Sequence, residues 1–153
     1  SILLYNFPRM SGVVFHAALV ARLMQEFPDA VAGMKESSND RALQRELLSR
    51  HEGLLVFPGS EEYLVEALEY GAAGCISGSV ALWPQLAHEV FRTRDPAQGA
   101  QLALRRRDLA DRPFISTVRN LTARALGDES WERSMPPLVS STPSSSDARL
   151  PST

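Results

Sequence analysis

The chain of 153 residues is poor in lysine and cysteine and contains no long hydrophobic run. Its sixteen basic residues are fifteen Arg and a single Lys, Lys35. The one cysteine, Cys75, cannot form an intrachain disulfide, which fits a reducing compartment and predicts a cytoplasmic location. No apolar stretch is long enough to span a bilayer and no signal peptide is recognisable, so we expect no membrane partner.

The net charge is small, and the sequence shows no motif typical of phosphate-binding loops or metal sites. A net charge of -2 argues against nucleic acid or an anionic membrane as the main partner. The three arginines at 105–107 are interpreted as a solvated helix face. The glycines of 71–78 lack the dinucleotide-binding pattern, and no Gly-Lys-Ser/Thr loop occurs. His16, His51 and His88 show no metal-ligand spacing, so we expect no metal site.

Short apolar runs alternate with segments of helical periodicity along most of the chain. The predicted strands are residues 2–6, 30–35, 54–57 and 72–77. Helices are predicted between them, with Asn39 or Asp40 and then Ser60 as N-caps, and further helices from Pro84, over 96–111 and over 114–126. The length suits one domain of ordinary size.

The four predicted strands are continuous apolar runs, which is typical of parallel strands with both faces covered. Two architectures fit: a four-stranded doubly wound sheet, or half of an eight-stranded barrel, which normally needs about 250 residues. In both, ligands bind at the carboxyl ends of the strands. Polar or flexible residues end all four strands at that edge, namely 5–6, Lys35, 59–60 and 77–78.

Tyr5 ends the first predicted strand and Lys35 the second, so a parallel sheet would make them neighbours. A lysine amine removed from water is a nucleophile towards ketones, and a phenol can carry protons to and from the substrate oxygens. Two plainer interpretations stay open, a surface lysine kept by chance and a buried tyrosine whose hydroxyl is satisfied. Glu61 and Glu62 are either first-turn helix charges or substrate contacts.

Four segments together resemble the dihydrodipicolinate synthase / N-acetylneuraminate lyase family, whose members are class I Schiff-base aldolases on a (β/α)8 barrel. They are residues 5–8 (YNFP), 33–40 (GMKESSND), 59–62 (GSEE) and 71–78 (GAAGCISG). Their order and spacing are compatible with the family, and residues 133–138 (RSMPPL) are similar to its C-terminal Arg-x-Pro-Pro-Leu segment. The resemblance covers residues 2–138.

The resemblance implies an α/β fold that is a partial (β/α)8 TIM barrel, about strands five to eight with the C-terminal helices. Residues 1–94 would form a half-barrel of four β/α units and 95–138 a helical segment, while 139–153 is a Ser- and Pro-rich tail predicted to be disordered. The family's Gly-Thr-Thr-Gly pocket for the pyruvate carboxylate has no match, so we interpret the chain as a fragment. Its unpaired strand edges predict a homo-oligomer.

The resemblance also implies roles for individual residues. Lys35 would be the Schiff-base lysine and Tyr5 the proton shuttle, acting without a cofactor other than the covalent lysine imine. The substrate would be a small 2-oxo acid such as pyruvate. The implied substrate-binding residues are Gly59 and Ile76 at the pyruvate end, and Ser37, Glu61, Glu62 and Gly78 along a hydroxylated tail.

Two departures from the family pattern concern specificity. Met10 stands where dihydrodipicolinate synthases usually have Arg, which disfavours a second carboxylated substrate and favours cleavage of a 2-keto-3-deoxy sugar acid or a related 2-oxo acid. Ala81 stands where the family commonly has Asn, with no effect that we can predict.

Two other classes of function remain as alternatives. A catalytically silent half-barrel would act as a structural or self-association module. A doubly wound ligand-binding domain is disfavoured, because no phosphate or nucleotide motif follows its strands.

Overall fold

A computed structural model describes residues 1–50, 52–133, 135, 136 and 138, which form three strands and seven α-helices. The strands are β1 (Ile2–Asn6), β2 (Val31–Glu36) and β3 (Leu55–Pro58). The helices are α1 (Pro8–Ser11), α2 (Ala17–Glu26), α3 (Arg41–Arg50), α4 (Leu64–Glu69), α5 (Pro84–Thr93), α6 (Pro96–Arg107) and α7 (Phe114–Leu126). Short 3-10 turns cover Glu61–Tyr63, Ser79–Leu82 and Glu129–Glu132.

The three strands form a parallel sheet in the order β1-β2-β3. Tyr5 of β1 pairs with Lys35 of β2, and Lys35 pairs with Phe57 of β3. Because the strands run in one direction, their carboxyl ends share one edge of the sheet. The predicted α/β class with a parallel sheet is confirmed.

One face of the sheet packs against helices and the other is exposed. The first hydrophobic core lies on the covered face and joins α2, α3, β2 and β3 through Val20, Leu47, Met34 and Val56. Successive side chains of a strand point to opposite faces. Leu3, Tyr5 and Leu55 lie on the other face with about half of each exposed, and Lys35 is half-buried beside them; we call this the open face. The prediction that both faces are covered is therefore wrong for the described chain.

The predicted fourth strand, 72–77, does not form. Gly74 has a φ of +153°, which interrupts a regular strand conformation in this segment. The segment therefore pairs with β3 only in part. The amide of Ala73 donates to the carbonyl of Val56, and the amide of Ile76 donates to that of Pro58, both at 3.0 Å. The segment runs along the edge of β3 without becoming a strand.

The helix boundaries follow the predicted caps closely. Asp40 Oδ1 accepts hydrogen bonds from the amides of Ala42 and Leu43 at 2.9 and 3.0 Å, and Ser60 Oγ accepts one from the Glu62 amide at 3.3 Å. The structure has α5 starting at Pro84 and α7 over 114–126, as predicted. The helix predicted over 96–111 ends earlier, at 107, and the four-residue helix α1 was not predicted.

A second hydrophobic core joins α4, α5, α6 and α7. Its buried members include Leu64, Trp83, Val90, Leu102 and Leu121. These residues come from both sides of the predicted boundary at 94/95. The helical segment after that boundary therefore shares its core with the β/α units before it.

Residues 139–153, predicted to be a disordered tail, lie outside the described part of the chain. Within the described ranges, none of the helices combines the length and the apolar character that crossing a membrane requires.

Candidate active site

Tyr5 and Lys35 face each other across β1 and β2 on the open face. The ammonium nitrogen Nζ of Lys35 donates a hydrogen bond to Oη of Tyr5 at 3.3 Å and lies 4.4 Å from the centre of the tyrosine ring. The pair is placed by register alone, because residues paired on parallel strands project side by side. The predicted juxtaposition of these two side chains is confirmed.

The ends of β2 and β3 approach each other closely beside this pair. The amide of Gly59 donates to the carbonyl of Glu36 at 2.6 Å. A side chain at position 59 would collide with both Oγ and Cβ of Ser37, so this close approach favours glycine. Ser37 and Gly59 are therefore brought together at the carboxyl edge of the sheet.

Ile76 and Gly78 lie on the segment that follows β3 in space. The Ile76 amide is bound to the carbonyl of Pro58, the last residue of β3, and its side chain is exposed. Gly78 is exposed, and a Cβ added there would lie 3.4 Å from the ring of Phe114 at the start of α7. Ile76 thus lies beside the end of β3, and Gly78 follows it by two residues on the same segment.

The Glu61 carboxylate is engaged within the protein. Glu61 is only 1% exposed, and its Oε1 accepts a hydrogen bond from Ser79 Oγ at 2.5 Å. Its Oε2 lies 4.0 Å from Nε of Arg106, which also stacks on the ring of Phe114. The structure therefore shows Glu61 as a buried anchor, and its contact with a substrate stays a prediction.

Glu62 is also engaged by the C-terminal end of α6. Its Oε1 accepts a hydrogen bond from Arg107 Nε at 2.6 Å. The interpretation of the arginine run as a purely solvated face is wrong, since Arg105 lies over the Trp83 ring and the next two arginines reach Glu61 and Glu62. Sequence reasoning missed these contacts because more than forty residues separate each arginine from its glutamate.

Cys75 is partly buried and packs against the second hydrophobic core. Burial, reinforced by the negative charge of Glu61, raises the pKa of the Cys75 thiol to about 12, against the opposing effect of Lys35 and Arg106. A thiol with so high a pKa stays protonated and unreactive at neutral pH. Cys75 is therefore a packing residue here, not a nucleophile.

Asn6 and Glu36 are two residues beside the pair to which the sequence analysis assigned no role. Each directly follows one member of the Tyr5–Lys35 pair and points to the covered face, where Asn6 is 0% and Glu36 3% exposed. The signal was available in the sequence, because both are polar residues ending otherwise apolar strands. Among the described residues, no group of three or more His, Cys, Asp or Glu side chains could hold a metal ion.

The chain is similar in sequence to a known family and to individual proteins. A model of the dihydrodipicolinate synthetase family matches residues 1–140. An uncharacterised DapA-like lyase of Chloroflexus aurantiacus is 31% identical over 120 residues, which cover 78% of this chain and 38% of that protein. The 4-hydroxy-tetrahydrodipicolinate synthase of Thermus thermophilus is 34% identical over 85 residues, or 55% of this chain and 28% of that enzyme.

A solved structure shows the same arrangement of elements. The crystal structure of dihydrodipicolinate synthase from Agrobacterium tumefaciens superposes with a TM-score of 0.82 at 30% sequence identity, over 96% of this chain and 50% of that chain. The chain thus spans about half the length of this solved relative and 38% of the Chloroflexus protein.

Proposed function

Because the chain belongs to the dihydrodipicolinate synthetase family, we propose that it carries the nucleophile and the proton shuttle of a Schiff-base-forming lyase or synthase acting on 2-oxo acids such as pyruvate. The observation that carries this proposal is the hydrogen bond of 3.3 Å between Lys35 Nζ and Tyr5 Oη at the carboxyl edge of the sheet. That edge is where parallel α/β folds place their chemistry.

The proposed chemistry uses both members of the pair. The neutral amine of Lys35 attacks the keto carbon of the substrate, and the resulting carbinolamine loses water to form an imine. Tyr5 Oη, within hydrogen-bonding distance of Nζ, accepts and returns the protons that these steps move. In cleavage, the protonated imine accepts the electron pair of the bond between the α- and β-carbons as that bond breaks, and the β-hydroxyl gives its proton to Tyr5 Oη as the aldehyde leaves. Protonation of the resulting enamine and hydrolysis of the imine then release the 2-oxo acid and free Lys35, so we propose no further cofactor.

The proposed substrate contacts have unequal support. Ser37, Gly59 and Ile76 are supported by their position near the ends of β2 and β3. Gly78 is supported only by following Ile76 by two residues on the same segment. Glu61 and Glu62 are included by resemblance alone, because Ser79 and Arg107 hold their carboxylates.

We propose cleavage of a 2-keto-3-deoxy sugar acid or a related 2-oxo acid as the reaction. The support is Met10, which is exposed and provides no cation for a second carboxylate. A comparison of aspartate semialdehyde with hydroxylated aldehydes in the condensation direction checks this choice. Preference for the semialdehyde would contradict it.

We also propose that the chain is part of a (β/α)8 barrel, with its strands and the 73–76 segment as strands five to eight. The support is the open face, on which Tyr5 is 47% exposed and Lys35 half-buried. An amine becomes nucleophilic at neutral pH when it is desolvated. A covering unit with the missing carboxylate pocket would supply that desolvation.

Trapping with borohydride tests the proposed nucleophile. The full polypeptide that the gene encodes is incubated with pyruvate and borohydride, and the reduced adduct is mapped by mass spectrometry. We expect one adduct, on Lys35, and none in Lys35→Arg, which keeps the charge but has no nucleophilic amine. An adduct on another residue, or one that persists in Lys35→Arg, would overturn the assignment.

A second candidate function is self-association without catalysis. Leu3 and Leu55 leave apolar surface on the open face, and β1 forms one edge of the sheet. Exposed strands of this kind pair with other chains. Gel filtration with a lyase assay separates the two functions: a stable oligomer with no turnover of any 2-oxo acid favours association, and an active monomer eliminates it.

A further inference from the structure

Two buried polar side chains, Asn6 and Glu36, lie directly behind the Tyr5–Lys35 pair. Asn6 follows Tyr5, Glu36 follows Lys35, and the two are themselves paired across β1 and β2. Side chains alternate along a strand, so the polar pair occupies the covered face while the candidate catalytic pair occupies the open face. Both pairs sit at the carboxyl end of the same two strands.

A hydrogen bond joins the two buried side chains. Nδ2 of Asn6 donates to Oε1 of Glu36 at 3.0 Å. The same oxygen accepts the amide of Ser38 at 2.8 Å. Oδ1 of Asn6 accepts the amide of Phe15, in the loop that leads to α2, at 3.1 Å. Two side chains thus bind each other and the loops that follow both strands.

Backbone groups of the same two residues extend these contacts to β3. The Ser37 amide donates to the carbonyl of Asn6 at 2.8 Å, and the Gly59 amide donates to the carbonyl of Glu36 at 2.6 Å. The ends of all three strands are therefore tied to one buried pair. We call Asn6 and Glu36, with these hydrogen bonds, the clamp.

Burial makes the clamp sensitive to register. A slip of one residue between β1 and β2 would leave an amide and a carboxylate buried without each other, and a buried polar group without a partner costs about 1–3 kcal/mol. Two apolar side chains at these positions would fill the same space without such a penalty, because apolar contacts have no preferred direction. The clamp therefore specifies one alignment of the two strands.

We propose that Asn6 and Glu36 are positioning residues that keep the Tyr5 hydroxyl and the Lys35 amine at hydrogen-bonding distance. They act through the strands and touch no substrate. The inference rests on the proposed function for its catalytic meaning, but the alignment itself is measurable without turnover. A displacement of about 1 Å between reacting groups can slow a reaction about 100-fold.

Exchanging the two functional groups tests the clamp. Asn6→Asp places two carboxylates together, whereas the double variant Asn6→Asp with Glu36→Gln restores one donor and one acceptor with the original net charge. Asn120→Asp, which introduces a carboxylate at another buried asparagine in α7, is the matched control.

Two readouts are taken on the full encoded polypeptide after far-UV circular dichroism confirms folding. The first is the rate of borohydride-trapped pyruvate adduct at Lys35, with its dependence on pyruvate concentration. The second is the pH profile of Lys35 acetylation by acetic anhydride, read by mass spectrometry in the peptide 23–41 between two arginine cleavage sites. The second readout needs no catalysis.

We expect Asn6→Asp to trap pyruvate up to about 100-fold more slowly at saturating pyruvate and to shift the acetylation profile of Lys35. The double variant returns both readouts to those of the wild type, and Asn120→Asp leaves them nearly unchanged. If Asn6→Asp does not fold, restored folding and trapping in the double variant support the clamp equally.

Three results would overturn the clamp: wild-type behaviour of a folded Asn6→Asp, a double variant no better than Asn6→Asp, or the same loss in Asn120→Asp. Absence of any adduct in the wild-type protein would instead refute the proposed function. In that case the acetylation profiles still decide whether the clamp sets the environment of Lys35.

Discussion

At the scale of residues, the candidate chemistry depends on one amine and one phenol. Lys35 is the only lysine among sixteen basic residues, and arginine cannot replace it because a guanidinium does not lose its proton in proteins. Tyr5 Oη lies 3.3 Å from Nζ, so the two groups can exchange a proton directly.

Replacement of Tyr5 by Phe removes the proposed proton shuttle. We expect turnover to fall about 10²- to 10⁴-fold, the range of general acid–base catalysis, with little change in KM. Stability should change by less than about 0.5 kcal/mol, because the side chain is 47% exposed. A coupled assay of pyruvate release and thermal unfolding measure both effects. Tyr70→Phe, at another half-exposed tyrosine, is the control, and an equal loss of turnover there would contradict the assignment.

Alkylation of Cys75 should be slow at neutral pH, and its rate should rise only at high pH. Since burial and Glu61 raise the thiol pKa from 9.0 to about 12, the rate with iodoacetamide should keep rising towards pH 12. The native pKa exceeds the unfolded value, so the contribution to stability is complete below pH 9.0 and is lost as the pH rises towards 12. The alkylation rate of the urea-unfolded chain is the reference. A rate in the native protein that levels off near pH 9 would refute the raised pKa of the Cys75 thiol.

At the scale of elements, the sheet is built on close approach between β2 and β3. A side chain at position 33 would collide with the backbone carbonyl of Leu55, so glycine there allows the two strands to pair. At the far edge of β3, the next segment pairs only in part, and Gly74 in that segment has a φ of +153°.

Gly33→Ala should therefore destabilise the sheet. The added methyl group meets a backbone atom, which can move only with its strand, and overpacking of this kind typically costs about 1–3 kcal/mol. Gly78→Ala is the matched control, because a methyl group there would lie 3.4 Å from the Phe114 ring in ordinary contact. Urea unfolding followed by circular dichroism compares the two. Equal midpoints would show that the approach of β2 to β3 tolerates a side chain.

At the scale of the whole molecule, two hydrophobic cores pack different sets of helices. The first holds α2 and α3 on the sheet, and the second holds α4 to α7 together. Because the second core includes residues before and after position 94, we propose that the helical segment and the β/α units unfold as one unit. The open face remains the surface that neither core covers.

Leu102→Ala tests this cooperativity. Leu102 is fully buried in the second core, and truncation of such a leucine typically costs about 2–5 kcal/mol. We expect one unfolding transition at a lower midpoint, the same by far-UV circular dichroism and by tryptophan fluorescence. Leu104→Ala, on the exposed side of the same helix, should change little. Separate transitions in the Leu102 variant would contradict a shared core.

The order of the first three strands, the predicted helix starts at Asp40, Ser60 and Pro84, and the Tyr5–Lys35 pair could be predicted from the sequence, because they depend on local patterns and on register between neighbouring strands. Asp40, Ser60 and Pro84 mark helix starts through bonds to adjacent backbone or a preset φ. A parallel sheet then carries the ends of successive strands to one edge.

Only the tertiary structure decided the partners of Glu61 and Glu62, the irregular 72–77 segment and the exposure of the open face. Each depends on chain segments distant in sequence: α6 brings arginines to the two glutamates, and β3 sets the hydrogen bonds of Ala73 and Ile76. No local pattern encodes such contacts, because several donors elsewhere in the chain could approach the same carboxylate. The fold selects which donor reaches it.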